Sequence, residues 1–294
     1  MKIIFIGTVD FSLEMLHILI RSKSGVVGVV TKKQSSQNAD FADLSSACRK
    51  ADIPIYYAVD VNEPAAIRWI SSFEPDIIFC FGLSQILADE VLKIAPQGVI
   101  GYHPAALPHN RGRHPLIWAL ALGLKKTAST FFFMDHGADS GDIISQKPVT
   151  ITSQDNAGSL YRKIVKTAGG QLKLLVQQLK KSTIVRRKQD HRKSTYWRKR
   201  SKEDGQIDFR MSVQAIDCLV RALAKPYPGA HVVFRGEDIK IWRVKRANSG
   251  APDAEPGKIL DVRNNLILVK CFDKALWLIE HEFKHLPAKG EYIR

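Results

Sequence analysis

Residues 2–31 read "KIIFIGTVDFSLEMLHILIRSKSGVVGVVT". A short apolar run ends at Gly7, a stretch with helical spacing of its apolar residues follows from Phe11, and a second β-branched run closes at Thr31. Short β-branched runs suit buried strands and the middle stretch suits an amphipathic helix, so the segment predicts a βαβ unit on a parallel sheet. Its first turn, "GTVDF", lacks the G-x-G-x-x-G spacing that lets a backbone approach a pyrophosphate, which argues against a dinucleotide cofactor. Gly7 then reads as a tight strand-to-helix turn, with Thr8 and Asp10 either capping the helix or facing a ligand.

The same rhythm extends outward through "DLSSACRKADI", "IPIYYA", "PAAIRWISSF", "DIIFCFG", "ADEVLKIA", "GVIGYHP" and "LIWALALGL". "TASTFFFM" and "DIISQKPVTI" read as two further strands joined by "DHGADSG". The segment "SLYRKIVKTAGGQLKLLVQQLKK" places Leu160, Ile164, Ala168, Leu172, Leu175 and Leu179 on one helical face, with a kink expected at Gly169–Gly170. Beyond it come a basic run, a helix candidate "SVQAIDCLVRALAKP", and the short strands "AHVVFRG", "DIKIWRV", "GKILDVR", "NLILVKC" and "ALWLIEH". Regularly spaced short strands imply a small barrel or sandwich. The expected fold class is α/β, a mostly parallel sheet with a small C-terminal β-rich domain. The expected divisions are a catalytic domain over 1–182, a basic linker over 183–206 and the C-terminal domain over 207–294.

With 294 residues and 45% hydrophobic composition, the chain can bury the core of one large and one small domain. The first apolar run is too short for a signal peptide, and no run approaches the ~20 apolar residues of a membrane span, so a cytoplasmic protein with no membrane partner is expected. Cys48, Cys80, Cys218 and Cys271 are scattered without a C-x-x-C pair, the pattern of reduced buried thiols rather than of a metal site. A net charge of +15 calls for an anionic partner such as a phosphate, nucleotide or nucleic acid. Nine of the seventeen residues from Arg186 to Lys202, "RRKQDHRKSTYWRKRSK", are Lys or Arg. This run is read as solvated charge, with Tyr196 and Trp197 anchoring it to the core rather than stacking on RNA.

His103 follows "GVIGY" and precedes Pro104, which puts it at the carboxyl end of a parallel strand, where open α/β sheets hold their ligands. If the strand before "MDHGADSGD" is a neighbour, Asp139 would hydrogen-bond the imidazole, fix its tautomer and favour its charged form. Asp135 and Asp142 are expected to stabilise the turn. Residue chemistry alone does not single out Asp139 among the three.

"HPAALPHNRGRHPLIWAL" followed by "MDHGADSGDII" closely resembles the H-x-x-L-L-P-x-x-R-G-x-x-P and M-D-x-G-x-D-[ST]-G-x-I signatures of the 10-formyltetrahydrofolate-dependent formyltransferases. "MKIIFIGTVDFSLEML" and "PDIIFCFGLSQILADEVL" resemble that family's opening strand and folate-side loop. "DGQIDFRMSVQAIDCLVRALAKPYPGAHVVFRGEDIKIWR" is similar to the extra domain shared by its methionyl-tRNA and several of its sugar-nucleotide members. The resemblance implies a Rossmann-like formyltransferase fold with an OB-like C-terminal domain, 10-formyltetrahydrofolate as cosubstrate and no metal. It makes His103 the catalytic histidine and Asp139 its partner. Phe81, Gly82, Leu83, Ser84 and Ile86, with His136, Gly137 and Ala138, would receive the pterin, since an apolar loop offering backbone donors and acceptors suits a flat heterocycle with amide-like edges.

One position departs from the family pattern: Gly101 stands where an Asn is usual. That Asn amide would help stabilise the oxyanion formed when an amine attacks the formyl carbon, and loss of such a donor costs about 2.7–4 kcal/mol. A water or an exposed backbone N–H filling the space at Gly101 is the expected remedy. Two others are a reach by Asn110, or a catalytically silent homologue that only binds a nucleotide or RNA. For the acceptor, "TYWRKR", "DGQIDFRMS" and "RALAKPYPGAH" resemble the sugar-nucleotide enzymes. "VTKKQSSQNADFADL" is shorter than the basic loop of the tRNA enzymes, and "RGRHPLIWAL" replaces their "RGAAPI". The expected acceptor is therefore a nucleotide-linked amino sugar of the 4-amino-4,6-dideoxy type, used in surface-glycan biosynthesis. Lys33, Arg111 or Arg113 would meet its diphosphate, with Thr8, Asp10 and Asn110 nearby. Methionyl-tRNA, supported by the positive charge, is the second reading. A homodimer through the small β domain is left open.

Overall fold

The computed structural model describes residues 1–34, 40–247 and 250–293. Residues 35–39, inside the segment expected to be a shortened loop, lie outside them. The alternation read in the sequence runs β1 (Ile3–Gly7), α1 (Asp10–Arg21), β2 (Val26–Thr31), α2 (Ser45–Lys50), β3 (Ile55–Tyr57), α3 (Pro64–Ser71), β4 (Ile77–Phe81), α4 (Asp89–Leu92) and β5 (Val99–His103). A two-residue strand β6 (Arg111–Gly112), α5 (Pro115–Ala121), β7 (Lys126–Phe133), β8 (Ile143–Thr150) and α6 (Ala157–Lys180) follow.

The main sheet has the order β3-β2-β1-β4-β5-β7-β8. Its pairs from β3 to β5 are parallel, and β7 runs antiparallel to β5 with Gly101 opposite Phe132 and His103 opposite Thr130. Every residue of β1 and β4 is buried, as expected of strands covered on both faces. Each fully buried Ile, Leu or Phe of this core stabilises the fold by roughly 1.5–3 kcal/mol. From β1 the strand order proceeds one way to β2 and the other way to β4. The crevice therefore falls at the carboxyl ends of β1 and β4, beside β5.

The turn leaving β1 shows why Gly7 is required. A Cβ there would lie 2.5 Å from Ser12 Cβ and 2.8 Å from the Phe81 carbonyl oxygen. Ser12 Oγ accepts from the backbone N–H groups of Thr8 and Val9 and donates to the Phe81 carbonyl at 2.6 Å, fastening the start of α1 to the end of β4. Val9 is the N-cap residue, so neither Thr8 nor Asp10 caps the helix. The expected kink is replaced by a packing role. α6 runs uninterrupted through Gly169–Gly170, and a Cβ at Gly169 would lie 2.7 Å from Ile18 Cδ1 of α1.

The chain divides into two compact units: Met1–Pro115, Thr127–Val149 and Arg162–Trp197, and Leu116–Lys126, Thr150–Tyr161 and Arg198–Arg294. The segment expected to be a basic linker is thus shared between the two. Through Trp197 it belongs to the first unit, where β9 (Tyr196–Trp197) pairs in parallel with β6. The second unit carries α7 (Val213–Ala222), its N-terminus capped by Ser212, and an antiparallel sheet. The sheet strands are β10 (Ala230–Phe234), β11 (Glu237–Arg246), β12 (Ile259–Arg263), β13 (Leu266–Lys270) and β14 (Ala275–His281), in the order β10-β11-β14-β13-β12.

Among the described residues no helix is long and apolar enough to cross a membrane, and no group of His, Cys, Asp or Glu could hold a metal ion. All four cysteines are free and buried, and burial pushes the Cys80 thiol up to about 12, which keeps it a protonated core residue.

Candidate functional site

The end of β5 buries His103 against two loops. Its Nε2 lies 2.7 Å from the backbone carbonyl of Asn110. A carbonyl only accepts, so Nε2 carries a proton and the adjustable nitrogen is Nδ1. Nδ1 faces Asp139 Oδ2 at 3.5 Å, beyond ordinary hydrogen-bond length, and Oδ2 itself accepts from the Gly112 N–H at 2.9 Å. The ring is therefore fixed through one edge, and its other edge opens on a carboxylate.

Asp139 reaches this place because its own backbone is left-handed, with φ of 55°, in a tightly folded loop. A Cβ at Gly141 would lie 1.8 Å from the Phe133 carbonyl oxygen, so only glycine fits there. Asp135 Oδ1 accepts from the Gly137 N–H at 3.0 Å and from Ser140 Oγ at 2.5 Å, the turn-stabilising part expected of it.

Gly101 lies two residues before His103 on the same face of β5. A Cβ there would lie 2.8 Å from Met134 Cγ and 2.9 Å from Phe132 Cζ. The space expected to admit a water is filled by these side chains. Asn110 comes to the site through its backbone. Its carbonyl receives His103, its N–H donates to Thr195 Oγ1 at 2.8 Å, and its side-chain oxygen accepts from the same hydroxyl.

On the β4 side, the Phe81 and Gly82 carbonyls each accept one bond, from Ser12 Oγ and Thr8 Oγ1. Thr8 is buried in this brace rather than facing a substrate. The residues left open are Leu83, half-buried, and Ser84 and Ile86, the last 63% exposed. Gly137 and Ala138 of the facing loop are exposed too. His136 is tied to the start of α4 by Nδ1 at 2.6 Å from Asp89 Oδ1. Lys93, first, and then His136 hold the Asp89 carboxyl below the usual carboxylate range. An exposed isoleucine beside exposed loop backbone suits the apolar face and polar edge of a pterin.

Of the cations expected to meet a diphosphate, Arg111 is placed otherwise. Arg111 is 1% exposed. It donates to Tyr196 Oη and Gln189 Oε1 at 2.8 Å each, approaches His191 Nδ1 at 3.3 Å, and leaves its buried Nε without a partner. It is a structural cation inside the first unit. Arg113 engages Trp197 O through its backbone N–H, and exposed Lys33 lies over the Tyr57 ring. Asp10 opens α1, and burial, with Glu14 nearby, raises its carboxyl above the usual range.

Sequence reasoning missed Ser12, Gln189, His191 and Thr195. For the last three a signal was present: uncharged or weakly basic residues with short, well-oriented polar groups, set among cations read together as solvent-facing.

Residues 1–179 match the family described as Formyl transferase, and residues 199–290 match Formyl transferase, C-terminal domain. A methionyl-tRNA formyltransferase of Alkaliphilus metalliredigens (strain QYMF) is 32% identical over 274 residues, 92% of this chain and 87% of that protein. That of Clostridioides difficile (strain 630) is 30% identical over 300 residues, 100% of this chain and 96% of the other. A sugar 3N-formyl transferase crystallised in the presence of dTDP and 5-N-formyl-THF superposes with a TM-score of 0.72, covering 97% of this chain and 99% of that one at 18% identity. At that identity the likeness is one of fold. These relationships overturn the expected sugar-nucleotide acceptor and its place in glycan biosynthesis, because the 30–32% sequence identity over 92–100% of the chain is to tRNA enzymes. The short stretch "TYWRKR" misled for a physical reason: Tyr196 and Trp197 hold β6 in place, so they report scaffold rather than acceptor.

Proposed function

The chain belongs to the formyl transferase family, and from that premise we propose that it transfers the formyl group of 10-formyltetrahydrofolate to the amino group of methionyl-tRNA. It is a formyl-transferring enzyme with 10-formyltetrahydrofolate as cosubstrate. The observation that carries the acceptor is the 30–32% identity to methionyl-tRNA formyltransferases across 92–100% of the chain. A net charge of +15 supports a polyanionic acceptor, whose affinity grows with the phosphates neutralised. Such an acceptor places the reaction in the cytoplasm.

In this reading Leu83, Ser84 and Ile86, with His136, Gly137 and Ala138, hold the pterin, and the formyl group lies at the open edge of His103. The amine nitrogen attacks the formyl carbon, forming a new C–N bond as the carbonyl electron pair moves onto oxygen. His103 donates from Nδ1 to that oxygen, while its Nε2–H stays on the Asn110 carbonyl. Asp139 takes up the amine's proton. Collapse of the intermediate breaks the bond from the formyl carbon to N10, which takes that proton from Asp139 and leaves as tetrahydrofolate. A positioned acid–base pair of this kind contributes roughly 10²- to 10⁴-fold. With Met134 and Phe132 in the place of a side chain at position 101, the oxyanion depends on His103 more than it would beside an Asn.

The test is transfer of labelled formyl from 10-formyltetrahydrofolate to methionyl-tRNA, with uncharged tRNA as control. Label on methionyl-tRNA alone is the expected outcome; an unlabelled product despite folate binding would overturn the acceptor.

A further inference from the structure

We propose that Gln189 is a positioning residue for the formyl-transfer reaction: its amide bridges the His103 loop to the Asp139 loop and sets the distance between the two reacting side chains. The inference rests on the reading of His103 and Asp139 as the reacting pair.

Gln189 is buried, and all three of its side-chain bonds end on the two loops. Nε2 donates to the Asp139 carbonyl at 2.9 Å and to the Gly141 carbonyl at 2.7 Å, and Oε1 accepts from the Arg111 guanidinium at 2.8 Å. Carbonyls only accept and guanidinium only donates, so the partners fix the amide's orientation. Each end leads to one member of the pair. Arg111 is covalently joined to Asn110, whose carbonyl holds His103 Nε2, and to Gly112, whose N–H holds Asp139 Oδ2.

The segment carrying Gln189 is itself anchored on both sides. Arg187 exchanges two backbone hydrogen bonds with Ile143, at 2.9 Å each, just past the Asp139 loop. At the other end Thr195 and Trp197 accept from the backbone N–H groups of Arg111 and Arg113. A Cβ at Gly112 would lie 2.4 Å from Trp197 O, so the contact admits only glycine. Between these anchors Gln189 reaches both loops at once with its side chain. Residues 187–197 are therefore a strap across the catalytic loops, and the amide is its cross-brace. This gives a reason for a neutral Gln inside a run of cations: Lys or Arg has no acceptor for Arg111, and Glu has no donor for the two carbonyls.

Two variants separate bracing from folding. Gln189→Glu keeps the acceptor for Arg111 and removes both donors to the Asp139 loop; Gln189→Met removes all three bonds. Two readouts apply to the full-length protein. The first is hydrogen exchange over residues 108–114, which contain the Gly112 N–H bound to Asp139. The second is steady-state formyl transfer in wild type, Q189E, D139N and the double variant. Q189E is expected to speed exchange of that segment by about tenfold with β10–β14 unchanged. It should lower kcat by roughly 10- to 100-fold, as expected for a misplaced reacting group, while KM for 10-formyltetrahydrofolate stays within about threefold. In the D139N background the same substitution should cost less than about twofold, because the geometry it sets no longer matters.

Unchanged exchange, unchanged kcat, or an equal loss in both backgrounds would overturn the proposal. If D139N itself kept full turnover, the assignment of the pair would fail instead. Exchange over 108–114 needs no acceptor, so unchanged exchange would still overturn the brace.

Discussion

The loops leaving β4 and β5 start on neighbouring strands and are built on opposite plans. After β4, two hydroxyls hold the loop's base, and Ser84 and Ile86 stand exposed. After β5, His103 and Arg111 are buried and the loop is tied to residues 187–197 and to the Asp139 loop. A cosubstrate must enter and leave, which asks for an accessible apolar rim. Groups that react must keep their separation, which asks for locked rotamers and supporting hydrogen bonds. In the proposed reading, the contrast separates binding on one side from chemistry on the other.

Substitution on each side can sharpen or break that separation. The largest effect is expected on the locked side: His103→Ala should lower kcat by about 10²- to 10⁴-fold, with KM for 10-formyltetrahydrofolate within about threefold, in steady-state kinetics. A rise in KM with unchanged kcat would merge the two sides. Next, Gly101→Asn should destabilise the protein by about 1–3 kcal/mol in urea unfolding, because its Cβ would meet Met134 and Phe132 at under 3 Å, and turnover should be similar or lower. A large gain in turnover would mean that Met134 yields and the missing amide was the limiting feature.

On the open side, Ile86→Ala should leave stability within about 0.5 kcal/mol and raise the folate KM roughly three- to tenfold with kcat unchanged. The smallest effect is at Asp89, whose carboxyl is held low by Lys93 and then His136. A depressed folded value means that the carboxylate's contribution is present above the ordinary value of 3.8 and is lost as pH falls through the lowered one. Asp89→Asn should lower Tm slightly at neutral pH and leave it unchanged well below 3.8, in thermal melts across pH.

The division between legible and illegible sequence follows the same contrast. The βαβ rhythm, the strand-end position of His103 and the loop bearing Asp139 were readable because periodicity and glycine placement act locally, and the structure brings the two side chains to 3.5 Å. Arg111 was misread because nothing in its neighbourhood tells an arginine facing a ligand from one sealed behind Tyr196 and Gln189. The strap was misread because charge density describes a segment's average, whereas Gln189 and Thr195 act as individual hydrogen-bonding groups on loops 50 and 85 residues away in sequence. The acceptor was misread because short likenesses in that same strap carry scaffold information.

The most direct test compares wild type with His103→Ala in single-turnover transfer of labelled formyl from saturating 10-formyltetrahydrofolate to methionyl-tRNA. The expected result is rapid labelling of methionyl-tRNA by wild type and a loss of about 10²-fold or more in the variant, with folding and folate binding retained. Equal rates in the two proteins, or no label on methionyl-tRNA from a folate-bound wild type, would contradict it.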